Sequence, residues 1–486
     1  MNYKMMGRFF SQTLFVEGAF MLPALAICLF RQEWSGAAAF GLTLGIMVLI
    51  AGLLWLLCRK ASAVINATEG LVCVALSWIV MSLVGCLPFV FSGAIPNYID
   101  ALFETVSGFS TTGASVLAAP EELPGGILYW RSFTHWLGGM GVLVFLLALP
   151  STDGKGAGFT MHLLRAESPG PDVGKLVPKM RKTAAILYLI YIVLTVLDVV
   201  FLLCGNMDPL EAVCLALGTA GTGGFGTRGD SFAGYSPYIQ YVTAVFMALF
   251  AVNFSCYYLI LLRQFRSVFR DEELRMYFII VAGSVGLIVL NLANSGIYGT
   301  LEESFRHAFF QVSSIITTTG YATTDFDLWP SFSKMILLAL MITGGCAGST
   351  CGGMKLARVL LLFKNLRRNI RQMMRPDSVQ VVRNNGRAVD EQVLDNTNAY
   401  LAAYMVIAVL SVIVISWDGF SPATNITAVM ACFNNIGPGL EAVGPTCNYM
   451  GFSPVSKLIL IFDMLAGRLE IFPVLVLLSR ATWKRR

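Results

Sequence analysis

The sequence predicts an all-α polytopic membrane protein, with four parallel helix–pore-loop–helix repeats around one central pore and two additional N-terminal transmembrane helices. Three observations carry that prediction. Of 486 residues, 56% are hydrophobic and 13% charged, with a mean hydropathy of +0.69, which is more apolar surface than a soluble core of this length could enclose. Ten hydrophobic stretches, each of the ~20 residues needed to cross a ~30 Å hydrocarbon layer, run from Phe10–Phe30 to Leu458–Leu478. Between them lie four semi-apolar segments, each too short to span and each ending in a polar, glycine-containing stretch.

The elements follow in order along the chain. The first apolar stretch has only Lys4 and Arg8 ahead of it and no small-residue cleavage site, so it reads as a retained helix and not as a cleaved signal. With its successor it gives two leading helices, at 7–31 and 36–58, ahead of repeat units near 70–150, 183–263, 275–362 and 397–480. The chain therefore divides into 1–60 for the two N-terminal transmembrane helices, 61–150 for the first pore repeat, 151–263 for the second, 264–362 for the third with a broken second helix, and 363–486 for a basic cytoplasmic loop and the fourth. Lys and Arg cluster in alternate loops, with six in 151–182, four in 263–276, seven in 363–397 and four in 480–486. The intervening loops 96–126, 206–235, 295–331 and 417–452 hold two in all, Arg228 and Arg306. The positive-inside rule puts the basic set, and both termini, in the cytoplasm. The outer loops carry thirteen acidic residues, among them Asp100, Glu104, Asp208, Glu302, Asp325 and Asp418. These read equally as a cation-concentrating outer face and as ordinary solvated charge.

The four short segments align on one glycine: Asp100 to Gly113, Glu211 to Gly224, His307 to Gly320 and Thr424 to Gly437, with the same thirteen-residue offset in each. Each follows one spanning segment and precedes another, and each unit returns to the cytoplasmic side before the next begins, so the repeats are parallel and not inverted. A dehydrated monovalent cation needs several oxygen dipoles at once, and a ring of backbone carbonyls supplies them without the strong binding a carboxylate imposes. Glycine lets the backbone turn its carbonyls inward, and the residues before it, Thr111-Thr112, Thr222-Gly223, Thr318-Thr319 and Asn435-Ile436, are mostly small or hydroxylated. A half-helix before each loop aims its partly negative C-terminal end at the same point. Non-helical backbone at membrane depth is tolerable where it lines water or is buried in protein, and a pore meets that condition.

Other chemistries find little footing. Eleven cysteines lie singly, without a Cys-x-x-Cys pair, and read as helix-packing residues. His135, His162 and His307 lack the paired spacing of haem or zinc ligands. Gly221-Thr-Gly223-Gly-Phe-Gly226 matches a dinucleotide-binding pattern but follows an apolar helix and no strand, so no organic cofactor is expected in this chain. No cluster of His, Cys or carboxylates marks an enzyme, and nothing marks a nucleic-acid partner.

Four imperfect filter loops in one chain resemble the Trk/Ktr/HKT superfamily of K⁺ transporters, specifically its TrkH branch, over nearly the whole length. The signatures are SGFSTTGAS at 107–115, TTTGY at 317–321, GGCAGSTCGGMK at 344–355, NNIGPGL at 434–440 and GRLEIFPVLVLL at 467–478. The resemblance implies K⁺ uptake across a bacterial inner membrane, with a K⁺ filter of Thr111, Thr112, Gly113, Thr222, Gly223, Gly224, Thr318, Thr319, Gly320, Asn435, Ile436 and Gly437. Gly224 is favoured over its rival Gly223 as the filter glycine of the second loop. Glycine at Gly113, where serine goes with Na⁺ preference, implies K⁺. The stretch 344–355 is implied to be a gating loop beneath the filter, with Gly344, Gly345, Gly348, Ser349, Gly352, Gly353 and Lys355 as its mobile and polar members; Cys346 and Cys351 depart from the small residues of the family. Arg468 is implied to lie beside the path as a barrier to cations, and i,i+2 spacing keeps it from facing Glu470. The partners implied are membrane lipid, a second copy in a homodimer, and a cytoplasmic nucleotide-binding regulator, TrkA-like, for which Lys364, Arg367, Arg368, Arg371 and Arg375 offer a basic surface. The competing class is a K⁺ symporter coupled to H⁺ or Na⁺, against which the few spanning acids, Asp198, Asp463 and Glu470, form no series.

Overall fold

The computed structural model describes residues 1–59, 66–141 and 180–483. Most of the basic stretch 151–182, and the boundaries at 61 and 151, fall outside them. The two leading helices, Tyr3–Phe30 and Trp34–Cys58, form a hairpin in which the Ser11 hydroxyl donates to the Ala51 carbonyl at 2.7 Å. Four units follow. Their first helices are Ala67–Gly85, Met180–Cys204, Glu272–Ser295 and Glu391–Ile415, and their re-entrant half-helices are Tyr98–Phe109, Pro209–Gly221, Leu301–Ile316 and Pro422–Phe433.

Each half-helix begins for the same local reason. Asn97, Asp208, Thr300 and Ser421 cap the four N-termini, each accepting a backbone N–H of the first turn with its side chain, and Pro209 and Pro422 occupy the first helical position, where a missing N–H costs nothing. Each ends where the chain turns left-handed two residues before the aligned glycine.

Among the described residues six helices are long and apolar enough to cross a membrane, namely the leading pair and the first helix of each unit, so the protein is multi-pass. The expectation of ten spans, one of them broken in the third unit, is refined by the second helices, which are interrupted in every unit among the described residues. In the first unit Gly125–Met140 stops at Gly141, whose φ is 73°. In the second, Pro237–Phe250 and Phe254–Leu261 meet at a bend of 89°. In the third, Ser331–Thr343 gives way to 344–355 before Leu356–Met374 resumes, and in the fourth Pro454–Arg468 is followed by Phe472–Leu478 across left-handed Glu470 and Ile471. Sequence had placed a break in the third unit alone. The second is possible because its freed polar groups are satisfied by the neighbouring interruption: Cys346 N–H donates to the Ala251 carbonyl at 3.1 Å and Phe254 N–H to the Gly348 carbonyl at 3.0 Å, while Asn253 caps the resumed helix.

Large apolar side chains such as Leu49, Leu290 and Ile413 face outward, as lipid contact requires, whereas Glu104, Arg131, His135, Thr318 and Asn435 are buried around the four half-helices. Polarity is thus concentrated inside. Nine of the eleven cysteines are buried and all are free thiols, in keeping with a packing role.

Candidate functional site

The four aligned glycines come together. In each loop a residue in the left-handed region (Thr111, Thr222, Thr318, Asn435; φ 53–58°) precedes one with ordinary backbone (Thr112, Gly223, Thr319, Ile436) and then a glycine at φ 80°, 84°, 86° and 94° in chain order. Alternating hand tilts successive peptide planes to one side, where a uniform strand would alternate them. The space a Cβ would need at Gly113 is taken by the Gly223 carbonyl oxygen; at Gly224 by that of Thr319; at Gly320 by that of Ile436; and at Gly437 by that of Thr112. These contacts close a circle. They order the units one to four around a single axis, leave no room for any side chain at the four positions, and identify Gly224, not Gly223, as the counterpart of the other three.

Different side chains brace the ring from behind. Ser110 with Thr112, and Thr317 with Thr319, form hydroxyl pairs at 2.7 Å. The Asn435 amide donates to Thr112 Oγ1 at 3.0 Å and to the Met464 carbonyl at 2.9 Å. Tyr321 reaches from the third loop to the Leu215 and Phe225 carbonyls of the second unit, and the Tyr449 hydroxyl donates to the Gly437 carbonyl at 2.7 Å. His135, fully buried, faces the Gly108 carbonyl with Nδ1 at 2.8 Å and accepts the Phe225 N–H with Nε2 at 3.2 Å. An acceptor on one side and a donor on the other define the tautomer, with the proton on Nδ1.

Beneath the ring, 344–355 touches three units directly. Gly344, Gly348 and Gly353 have φ of 67°, 70° and 73°, and Lys355 shares that region at 69°. Gly352 N–H donates to Thr318 Oγ1 at 2.7 Å, and a Cβ on Gly352 would meet the Asn434 carbonyl and the Asn435 side chain. Gly345 lies against Cys351, Ser349 Oγ donates to the Cys346 carbonyl at 2.5 Å, and the Lys355 ammonium bonds the Cys351 carbonyl. Arg468 joins this segment to the first unit, donating to the Thr350, Gly138 and Gly139 carbonyls at 2.7, 2.5 and 2.6 Å and to Thr111 Oγ1 at 3.1 Å. Glu470 instead pairs with Arg358, on the helix leaving the segment, as the i,i+2 argument required.

Above the ring a mouth contains Gly113, Gly224, Gly320 and Gly437, and its lining among the described residues includes no carboxylate. Of the two open readings of the outer acids, close to the axis this favours ordinary structural charge over a cation-gathering ring. Asp100 is buried against Lys457 at 2.6 Å; Glu104 is buried against Arg131 at 2.7 Å and also accepts Ser115 Oγ and Val116 N–H, which makes both structural ties. The twelve loop residues and the eight below them thus fall in two adjoining layers. Sequence reasoning missed His135, Tyr321 and Tyr449. The signal for His135 was available: the second loop has glycine, Gly221 and Gly223, where the first and third carry hydroxyl pairs.

A family model described as a cation transport protein, TrkH, matches residues 38–484. The chain is 36% identical over 474 residues to the Trk system potassium uptake protein TrkH of Escherichia coli (strain K12), covering 96% of each, and 34% identical over 492 residues to the protein of that name from Halomonas elongata, covering 100% of each. It aligns with the crystal structure of the potassium transporter TrkH from Vibrio parahaemolyticus with a TM-score of 0.89 at 31% identity, over 100% of both chains. By sequence and by architecture, the chain belongs to the TrkH family of cation transport proteins.

Proposed function

We propose that this chain is the pore subunit of a Trk-type system that takes up K⁺ across the bacterial inner membrane through a gated, K⁺-selective, channel-like pathway. The observation that carries the reading is the closed circle of left-handed glycines. Carbonyls of Thr111, Thr112 and Gly113, of Thr222, Gly223 and Gly224, of Thr318, Thr319 and Gly320, and of Asn435, Ile436 and Gly437 replace the hydration shell of the ion, and the four half-helix C-termini favour its positive charge. The segment 344–355, held up by Arg468, closes the path below; two cations, buried Lys355 and half-buried Arg468, raise the barrier there. The helix Leu356–Met374 carries that segment into the cytoplasm. It exposes Arg367, Arg371 and Arg375 to anionic lipid or to a nucleotide-binding regulator, and exposes Phe363, Leu366 and Ile370 to a second copy of the chain.

Coupled symport is the weaker reading. Among the described residues, Glu17 and Asp198 accept no hydrogen bond from another protein group, Asp463 accepts one from Ser411, and none of the three bonds another, so these acids form no directly bonded series. The deciding experiment is K⁺ flux into proteoliposomes of the purified protein, first under imposed voltage and then under an imposed pH gradient at zero voltage. Flux that follows the K⁺ electrochemical gradient and ignores pH supports a channel. Uphill K⁺ accumulation driven by the pH gradient would replace it with a symporter.

A further inference from the structure

The second loop lacks the brace its counterparts have. In the first and third loops the residue before the filter glycine is threonine, its hydroxyl paired with that of the residue two positions earlier; in the fourth it is buried Ile436. In the second, both positions are glycine. Neither is required by backbone conformation, since Gly221 and Gly223 both lie outside the left-handed region. What requires them is His135. A Cβ on Gly223 would fall on the imidazole ring itself, and one on Gly221 on the His135 carbonyl group.

The imidazole is therefore where the missing side chain would be, and it arrives from the second helix of the first unit. Its two nitrogens are both committed, Nδ1–H to the end of the first half-helix at Gly108 and Nε2 to the N–H of Phe225, the residue after Gly224. Its ring centroid lies 4.1 Å from that of Phe225, and the Arg131 guanidinium lies over the Phe225 ring at 3.7 Å. We infer that His135 is a positioning residue for the second filter loop: with Gly223 it forms a matched pair in which the histidine supplies from a neighbouring unit the support that Thr112 and Thr319 supply within their own loops. The inference rests on the K⁺ filter reading and adds to it the residue that sets one quarter of the ring. Losing a ring that is bonded at both ends frees the Phe225 N–H and slackens the loop, which degrades discrimination between K⁺ and Na⁺ before it degrades folding.

The test is a double-mutant cycle on the full-length protein in proteoliposomes, reading the K⁺/Na⁺ permeability ratio and, in parallel, monodispersity and thermal unfolding in detergent. His135→Ala should lower the ratio by about tenfold, the effect of one buried hydrogen bond left unmade. Gly223→Thr alone should abolish selective flux through overlap with the ring. His135→Ala combined with Gly223→Thr should recover flux and ratio to above either single variant, a rescue that a merely structural histidine does not give. A ratio unchanged in a folded His135→Ala protein, or a double variant no better than Gly223→Thr, would overturn the pairing. Wild-type protein without K⁺ preference would overturn the filter reading itself, and is told apart by being seen before any substitution is made.

Discussion

At the level of the ring the four units agree almost position for position: a capped half-helix, a left-handed residue, an ordinary one, and a left-handed glycine whose neighbour's carbonyl fills its Cβ space. One layer below they disagree. The first unit's second helix stops at a glycine, the second bends through 89°, the third opens into twelve residues of irregular chain, and the fourth turns at Glu470 and Ile471. On the proposed reading, symmetry is kept where an ion meets equivalent oxygens from all sides. It is dropped one layer below, where the proposed gate comes from the third unit alone, because four copies of one element would collide on a single axis.

The symmetric layer is where one atom should matter most. Gly113→Ser adds a Cβ where the Gly223 carbonyl oxygen already sits and forces a side chain into left-handed backbone, which costs roughly 1–2 kcal/mol before any overlap is counted. K⁺ over Na⁺ preference should fall by at least about tenfold, read as a permeability ratio in proteoliposomes. Unchanged selectivity would remove Gly113 from the filter. Gly283→Ala is the matched control: that glycine has open space on the first helix of the third unit, and both flux and ratio should stay as they are.

The asymmetric layer should answer in the opposite sense. Removing residues 347–349 detaches the segment 344–355 from Glu273, whose carboxylate accepts the Ala347 N–H at 2.6 Å, and from the second unit at Phe254. Flux should rise several-fold, by about the weight of one or two such bonds, while the permeability ratio stays fixed. A folded variant with wild-type flux would return 344–355 to a packing role. Arg468→Gln should raise flux less, because Thr350 is only one of its partners and the rest of the segment keeps its own ties to Thr318 and Ala251.

How much of this was legible in sequence follows the same division. The ring was readable because its demands are local: a fixed thirteen-residue offset, small or hydroxylated residues and a closing glycine recur four times, and each leaves its mark in residue type. The segment 344–355 was readable for the same reason, since five glycines in a helix leave few alternatives. The breaks at Ala251 to Asn253 and at Glu470 were not, because their freed backbone groups are satisfied by partners far away in sequence, on Cys346 and Gly348 or within the turn itself. His135 was passed over as an isolated histidine. Its meaning lies in what the second loop lacks, and that is visible only when the loops are laid over one another.

The outermost acids extend the comparison to a third layer and carry the smallest effect. Glu211 pairs with Arg228 at 3.1 Å and Glu302 with Arg306 at 3.1 Å, and among the described residues no carboxylate lines the mouth directly above the glycines. Each is partly exposed, already neutralised by its partner, and screened by salt over a Debye length of roughly 8 Å at physiological ionic strength. If these residues serve mainly to hold the half-helix ends, Glu211→Gln and Glu302→Gln should change K⁺ flux by less than about twofold at that ionic strength, and thermal stability by under about 1 kcal/mol each. Glu104→Gln, which leaves Arg131 buried beside an uncharged partner, should by contrast destabilise the fold by about 3–5 kcal/mol. A steep loss of flux in the two rim variants that vanishes at high salt would show instead that the outer face gathers cations for the ring, and would make charge, as well as geometry, part of how the mouth works.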